Sequence, residues 1–269
     1  MTTSREHTFT GTRGANVARE WPHADPRYLA ILVHGYGEHI GRYEWVAGTL
    51  VRHGAAVYGV DHLGHGRSAG ERVLVEDFED IVTDVHTLRR RAEADHPGVP
   101  VVVIGHSMGG MIAARYAQRH GAGLTALVLS GPVLGEWEPV PALLALDEIP
   151  DVPIDPATLS RDLSVGDAYA ADPLVWHGPF KRSTLEAFAA TLAAIAEGGS
   201  LGALPTLWVH GADDLLVPLS GSRAGVEAIR GDDFTERIYP EARHEVFNEI
   251  NKEEVLADVA AFIDRALKR

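Results

Sequence analysis

The chain contains no cysteine. That absence removes disulfides, thiolate nucleophiles, Cys-ligated zinc and Cys-held iron–sulfur clusters together. Lysine is scarce as well, occurring only as Lys181, Lys252 and Lys268. No apolar run reaches the ~18 residues that a membrane-spanning helix needs. The opening Met-Thr-Thr-Ser-Arg-Glu-His-Thr-Phe-Thr holds no apolar segment like that of a secretion signal, so a cytoplasmic location is expected. Positive charge is the minority sign: 24 Lys+Arg stand against 38 Asp+Glu, a formal net charge of -14. Such a chain repels phosphate backbones and anionic lipid headgroups, and nucleic acid is not an expected partner.

What is present is a composition for folding. With 45% hydrophobic and 23% charged residues over 269 positions, the chain resembles neither a disordered tail nor a membrane protein, and its length suits one large domain or a core with an elaboration. Short apolar, β-branched runs recur at Tyr28–Val33, Ala55–Val60, 101–104, 124–129 and 206–209, with a weaker one at Phe234–Tyr239. They are too apolar for strands with one wet face, so they read as central strands of a mostly parallel sheet covered on both sides. The segments between have helical period: Phe78, Ile81, Val82, Val85 and Leu88 form one stripe within 77–95, and Val255, Val259, Phe262, Ile263 and Leu267 another from 252 onward. Strand alternating with helix implies a doubly wound α/β sheet with right-handed crossovers. The first twenty residues, with Gly-Thr-Arg-Gly at 11–14, suggest an antiparallel hairpin at its edge.

One segment breaks the rhythm. Eight of the fifteen prolines fall within 131–180. Proline at that density excludes long regular elements. A connection of about fifty residues without a strand is too long for a simple loop, so it reads as a cap inserted over the ligand-binding edge of the sheet. On this reading residues 1–130 and 181–269 make the core and 131–180 the cap.

The strongest chemical signal is Gly105-His106-Ser107-Met108-Gly109-Gly110, which follows a buried strand and precedes a helix-compatible run. A Gly-x-Ser-x-Gly turn between strand and helix is so tight that side chains two before and two after the serine collide. It would hold Ser107 at the carboxyl edge of the sheet, with the Met108 N–H facing a developing oxyanion from a helix N-terminus. A serine at its ordinary pKa is a poor nucleophile and needs a histidine base oriented by a carboxylate. In α/β-hydrolases the chain order is Ser, Asp or Glu, then His. Of 14 histidines only His244 lies beyond the last strand, and the preceding strand is followed by Gly211-Ala212-Asp213-Asp214. Adjacent turn residues diverge, so one aspartate faces His244; Asp214, three after the glycine, is preferred, and Asp213 is kept as the alternative. The second oxyanion donor is expected after an early strand, where His34-Gly35-Tyr36-Gly37 offers the Tyr36 N–H.

Two rival readings use nearby residues. Gly35-x-Gly37-x-x-x-Gly41, a helix, and a strand ending at Asp61 imitate a dinucleotide fingerprint. A short-chain reductase would add Tyr-x-x-x-Lys, yet the residues four before the lysines are His177, Asn248 and Asp264. Asp61-His62-Leu63-Gly64-His65-Gly66 contains metal-ligand types, but alternating glycines and the lack of a second cluster favour a structural turn, and no metal site is expected.

Together these motifs resemble the monoacylglycerol lipase branch of the serine hydrolases with the α/β-hydrolase fold. The likeness is carried by His34-Gly-Tyr-Gly-Glu-His-Ile-Gly-Arg-Tyr43, Asp61-His-Leu-Gly-His-Gly-Arg-Ser-Ala-Gly-Glu-Arg72, Gly105-His-Ser-Met-Gly-Gly110, His210-Gly-Ala-Asp-Asp214 and Arg243-His-Glu-Val-Phe-Asn-Glu249. The resemblance implies a cytosolic or peripherally membrane-associated enzyme, without a cofactor, that hydrolyses monoacylglycerols, with a cap that admits the acyl chain and makes transient contact with lipid. It also implies head-group roles for Glu38 and Arg42. Some members carry a head-group histidine three after the catalytic one, where this chain has Phe247. Simple esters and lysophospholipids are therefore alternative substrates, and a non-catalytic ligand-binding protein is the alternative of another class.

Apolar cap residues are candidates for an acyl tunnel: Leu134, Trp137, Leu143, Leu144 and Ile149, with Val140 and Leu146. At least half of these are expected only to pack the cap on the core. The cap also holds nine acids and one base, Arg161, and so carries -8 of the net -14.

Overall fold

A computed structural model describes residues 4–269; the first three residues of the expected edge hairpin lie outside it. In chain order the elements are β1 (Arg5–Thr10), β2 (Ala15–Trp21), β3 (Tyr28–Val33), α1 (Glu44–Arg52), β4 (Ala55–Val60), α2 (Phe78–Asp95), β5 (Val101–His106), α3 (Met108–His120) and β6 (Ala126–Ser130). Then come α4 (Pro139–Leu144), α5 (Leu163–Ala171), α6 (Arg182–Glu197), β7 (Thr206–Gly211), α7 (Leu219–Ile229), β8 (Phe234–Tyr239) and α8 (Lys252–Ala266).

The eight strands form one sheet in the order β1-β2-β4-β3-β5-β6-β7-β8. From β4 to β8 all neighbours run parallel, while β1 and β2 add an antiparallel edge. Strand alternation sorts the core into two layers. Leu29, Ile31 and Val33 of β3 pack with Phe78 and Ile81 of α2, Met111 of α3, Leu185 of α6 and Val226 of α7. Tyr28, Ala30 and Leu32 turn to the opposite face, against Val46 and Leu50 of α1 and Val255 and Val259 of α8. Each buried valine, leucine, isoleucine, phenylalanine or methionine among them contributes roughly 1.5–3 kcal/mol. Sheet and helices on both faces give the α/β-hydrolase fold.

The chain leaves β3 toward β4 on one side and returns to β5 on the other. The carboxyl ends of β3 and β5 therefore flank a topological switch point, where a crevice opens and ligands of such sheets bind. The loop after β3 and the turn after β5 meet there. Between β6 and α6, residues 131–180 contribute no strand, only the two short helices α4 and α5 and a single 3-10 turn at Pro156–Thr158. Among the described residues no helix is long and apolar enough to cross a membrane.

Candidate active site

The turn after β5 holds Ser107 at φ 57° and ψ -120°, in the left-handed half of backbone space that a side chain rarely occupies. The glycines around it permit the turn. A methyl group on Gly109 would run into the Val33 carbonyl, and one on Gly105 into the Gly109 carbonyl. Ser107 caps α3, so the Met108 N–H has no partner inside the helix and carries its positive end. The Ser107 N–H donates to the Ser130 carbonyl (2.9 Å), which ties the turn to β6.

His244 follows β8 and is buried (5% exposed). Its Nδ1–H donates to Asp214 Oδ2 at 2.7 Å. The other carboxylate oxygen, Oδ1, accepts the N–H groups of Leu216 and Val217, both at 2.9 Å. His210 closes the set. Its Nδ1 accepts from Trp208 Nε1 (3.2 Å), so its proton sits on Nε2, which donates to the Val217 carbonyl (2.9 Å) and lies 3.3 Å from Asp214 Oδ2. Burial by itself would raise the Asp214 carboxyl, but the charge of His244 and the hydrogen bonds from His210 and His244 hold it far below the usual carboxylate range. Burial would likewise lower the His244 imidazole; the Asp214 carboxylate, aided by Glu245 and Glu38, reverses this and leaves it above the usual histidine range. Asp213 is exposed.

The His106 ring lies against that of His244, centroids 4.7 Å apart, and burial pushes it down to about 4, so it stays uncharged beside His244. Ser107, His244 and Tyr36 line one cavity of about 180 Å³ at the switch point.

At one end of this cavity Arg42 lies between two buried carboxylates. Its NH1 donates to Glu38 Oε2 (2.6 Å) and Glu245 Oε1 (2.7 Å), its NH2 to Glu245 Oε2 (2.9 Å), and its guanidinium covers the Tyr169 ring. Glu38 also accepts the Gly35 N–H (2.7 Å) and the Tyr43 hydroxyl (2.8 Å). Burial opposes its charge, yet Arg42 above all brings its carboxyl below the usual range. The rest of the wall is apolar: Trp137, Ile154, Leu159 and Phe180 from the 131–180 segment and Leu215, Leu216 and Val217 from the loop after β7. Phe247 is buried in the α1/α8 layer and reaches only a small neighbouring pocket shared with Glu38, Arg42 and Glu245.

The tunnel expectation is corrected here. Leu134 is 1% exposed inside the core, Val140 is buried there too, Leu143, Leu144 and Ile149 pack against the same α2/α3/α6 layer, and Leu146 is exposed; of the seven candidates only Trp137 lines the cavity. An apolar pattern marks burial but does not say whether a neighbouring element or a ligand does the covering. Glu245, which sequence reasoning missed, stands directly after His244; its signal was an acid beside the base. Leu215, Leu216 and Val217 were signalled by an apolar run inside a turn. Asp61 is turned inward, 1% exposed, accepting the N–H groups of Ile40 (2.8 Å) and Arg67 (2.9 Å), so its oxygens face backbone rather than a ribose.

Residues 24–251 match the serine aminopeptidase S33 family of hydrolases. The chain belongs to that family. Within it the chain is 39% identical to the monoacylglycerol lipase of Mycolicibacterium smegmatis over 97% of both proteins. It is 34% identical to the monoglyceride lipase of Homo sapiens, over 87% of this chain and 84% of that one. Among solved structures, a thermostable carboxyl esterase from Bacillus coagulans in complex with glycerol superposes with a TM-score of 0.84, at 26% identity, over 99% of this chain and 100% of that one. As a family member the protein is a hydrolase, and the resemblance drawn from its motifs holds across nearly its whole length.

Proposed function

We propose that the protein hydrolyses carboxylic esters through an acyl-enzyme on Ser107, with monoacylglycerols as its substrates. The observation that carries the reading is the 2.7 Å bond from His244 to a fully satisfied Asp214, with His244 and Ser107 opening on one cavity. Ser107 attacks the ester carbonyl while His244 Nε2 takes its proton. The N–H groups of Tyr36 and Met108 hold the oxyanion. His244 then protonates the departing alcohol; in the second half-reaction it takes a proton from the water that attacks the acyl carbonyl, and returns that proton to Ser107 Oγ as the acyl–oxygen bond breaks and the fatty acid leaves. Asp214 keeps the histidine proton on Nδ1 and stabilises the imidazolium.

Glycerol as the leaving alcohol is supported by the Glu38–Arg42–Glu245 end of the cavity. Two carboxylates against one guanidinium leave a net negative, acceptor-rich wall, suited to hydroxyl donors and unfavourable to phosphate. The apolar wall on the other side suits an acyl chain. Residues 131–180 act as the cap over a core of 1–130 and 181–269, and the exposed Val152 and Leu163 suit transient contact with uncharged lipid. The likeness to lipases named for monoacylglycerol supports the same substrate class.

The test is Ser107→Ala with a substrate panel: monoacylglycerols of graded chain length, a short nitrophenyl ester and a lysophospholipid. Loss of all hydrolysis by a folded variant, with monoacylglycerol the best substrate of the parent, is the expected result. Residual turnover in the variant would remove Ser107 as nucleophile, and a parent that prefers the nitrophenyl ester is a general carboxylesterase. Stoichiometric labelling of the parent by a fluorophosphonate separates an enzyme from a binding protein.

A further inference from the structure

We propose that His34 is a positioning residue that locks the peptide between Gly35 and Tyr36 with its N–H turned toward Ser107. This rests on the reading above of the Tyr36 N–H as an oxyanion donor. That loop needs a lock because of what lies against it. A methyl group on residue 35 would stand 3.3 Å from Ser107 Cβ and 2.9 Å from Glu38 Oε1, so a side chain there would crowd both, and glycine keeps the loop close to Ser107. Glycine leaves the following peptide free to rotate, and a flipped peptide would present a carbonyl to the oxyanion instead of a donor.

The neighbouring peptides are fastened from other directions. The Gly35 N–H donates to Glu38 (2.7 Å), and the Gly37 carbonyl accepts the Trp176 N–H (2.7 Å). The peptide between Gly35 and Tyr36 is fastened by His34, whose Nδ1 lies 2.8 Å from the Gly35 carbonyl oxygen. The direction of this bond is set elsewhere. The backbone N–H of His62 donates to His34 Nε2 at 3.0 Å, so Nε2 carries the lone pair and the single proton of the neutral ring is on Nδ1. His34 is fully buried among the rings of His62 and His65, at 4.0 and 5.5 Å between centroids, where no charge is favoured. Burial first, and the nearby histidines second, keep it neutral. In a trans peptide the C=O and N–H point opposite ways, and no cis peptide occurs among the described residues. Holding the Gly35 oxygen therefore aims the Tyr36 N–H.

The Asp61-His62-Leu63-Gly64-His65 motif thereby acquires a task although neither Asp61 nor His62 lines the cavity. Asp61 pins the turn through Ile40 and Arg67, the turn presents the His62 N–H, and that N–H selects the tautomer of His34.

The decisive experiment compares His34→Asn, His34→Gln and His34→Leu on a nitrophenyl ester, so that the acyl-glycerol reading is not involved. The asparagine amide nitrogen can occupy the place of Nδ1, whereas that of glutamine reaches the place of Nε2. His34→Gln and His34→Leu are expected to lose about 100-fold in kcat with KM unchanged, the loss typical of one oxyanion donor. Affinity for a boronic acid transition-state analogue should fall in parallel, and His34→Asn should recover most of both. A glutamine variant as fast as the asparagine one, or losses that follow KM and thermal stability instead of kcat, would overturn the proposal. Nitrogen NMR on the parent enzyme gives a reading independent of any variant: the proton of His34 is expected on Nδ1, and finding it on Nε2 overturns the lock. Activity surviving in Ser107→Ala would instead refute the underlying catalytic reading.

Discussion

The carboxylate of Asp214 is held on both oxygens, and this fixes what its replacement does. Asp214→Asn preserves shape but places an amide donor or a weaker acceptor opposite His244 Nδ1, so the histidine proton is free to move to Nε2 and block the base. The expected outcome is a fall in kcat of about 10⁴ in a protein that still folds, measured by steady-state kinetics alongside circular dichroism. The pH profile should move too. His244 must be neutral to accept the serine proton, and its folded pKa is raised, so activity is lost as pH falls through a value above the usual histidine range. Without the Asp214 charge, burial dominates and the acid limb of kcat/KM in the variant shifts to lower pH. An unshifted limb would mean that His244 is not the titrating base.

At this scale the sequence was informative where chemistry constrains spacing. Ser107, Asp214 and His244 were legible from their order and their positions after strands. Glu245 was not, because an acid beside a histidine on a surface-like turn carries no periodicity; only the fold brings it to Arg42, 203 positions away.

Among the elements, the strands ran on to the residues that matter. The run 101–104 becomes a strand reaching His106, and 206–209 one reaching Gly211, because parallel neighbours continue to pair beyond the apolar stretch. The 131–180 segment was legible as strandless from its prolines, but not its contacts. Leu143 and Leu144 sit on α4, which packs on α6, so their faces were decided by a helix far along the chain. The segment is also tied down ionically. Its one base, Arg161, donates to Glu249, whose side chain is fully buried and also receives the Arg243 N–H at 2.7 Å. Arg161→Ala leaves that carboxylate in the interior with one partner group fewer. The expected cost is about 3 kcal/mol, toward the low end for a broken buried pair since Arg161 is partly exposed, read as a lowered urea midpoint at unchanged slope. A midpoint within error of the parent would show that the contact contributes nothing.

Over the whole molecule, the net charge of -14 is unevenly spread, with -8 of it in residues 131–180, which supply part of the cavity wall. Together with the negative Glu38–Arg42–Glu245 wall, this field works against anionic substrates and adds little for neutral ones. Discrimination between a monoacylglycerol and an anionic lysophospholipid should therefore be greatest at low ionic strength and shrink as added salt shortens the Debye length to below about 10 Å. Kinetics on both substrates across a salt series checks this, and a ratio independent of salt would place the discrimination in shape alone.

Residues 157–160 are joined to the His244 loop directly: the N–H of Glu245, next to His244, donates to the Leu159 carbonyl at 2.8 Å, and the Arg243 side chain donates to the carbonyls of Ala157 and Ser160. Leu159, which lines the cavity, and the loop that carries His244 are thus bonded to each other. Any displacement of residues 157–160 away from the core would have to break these bonds or carry the His244 loop along.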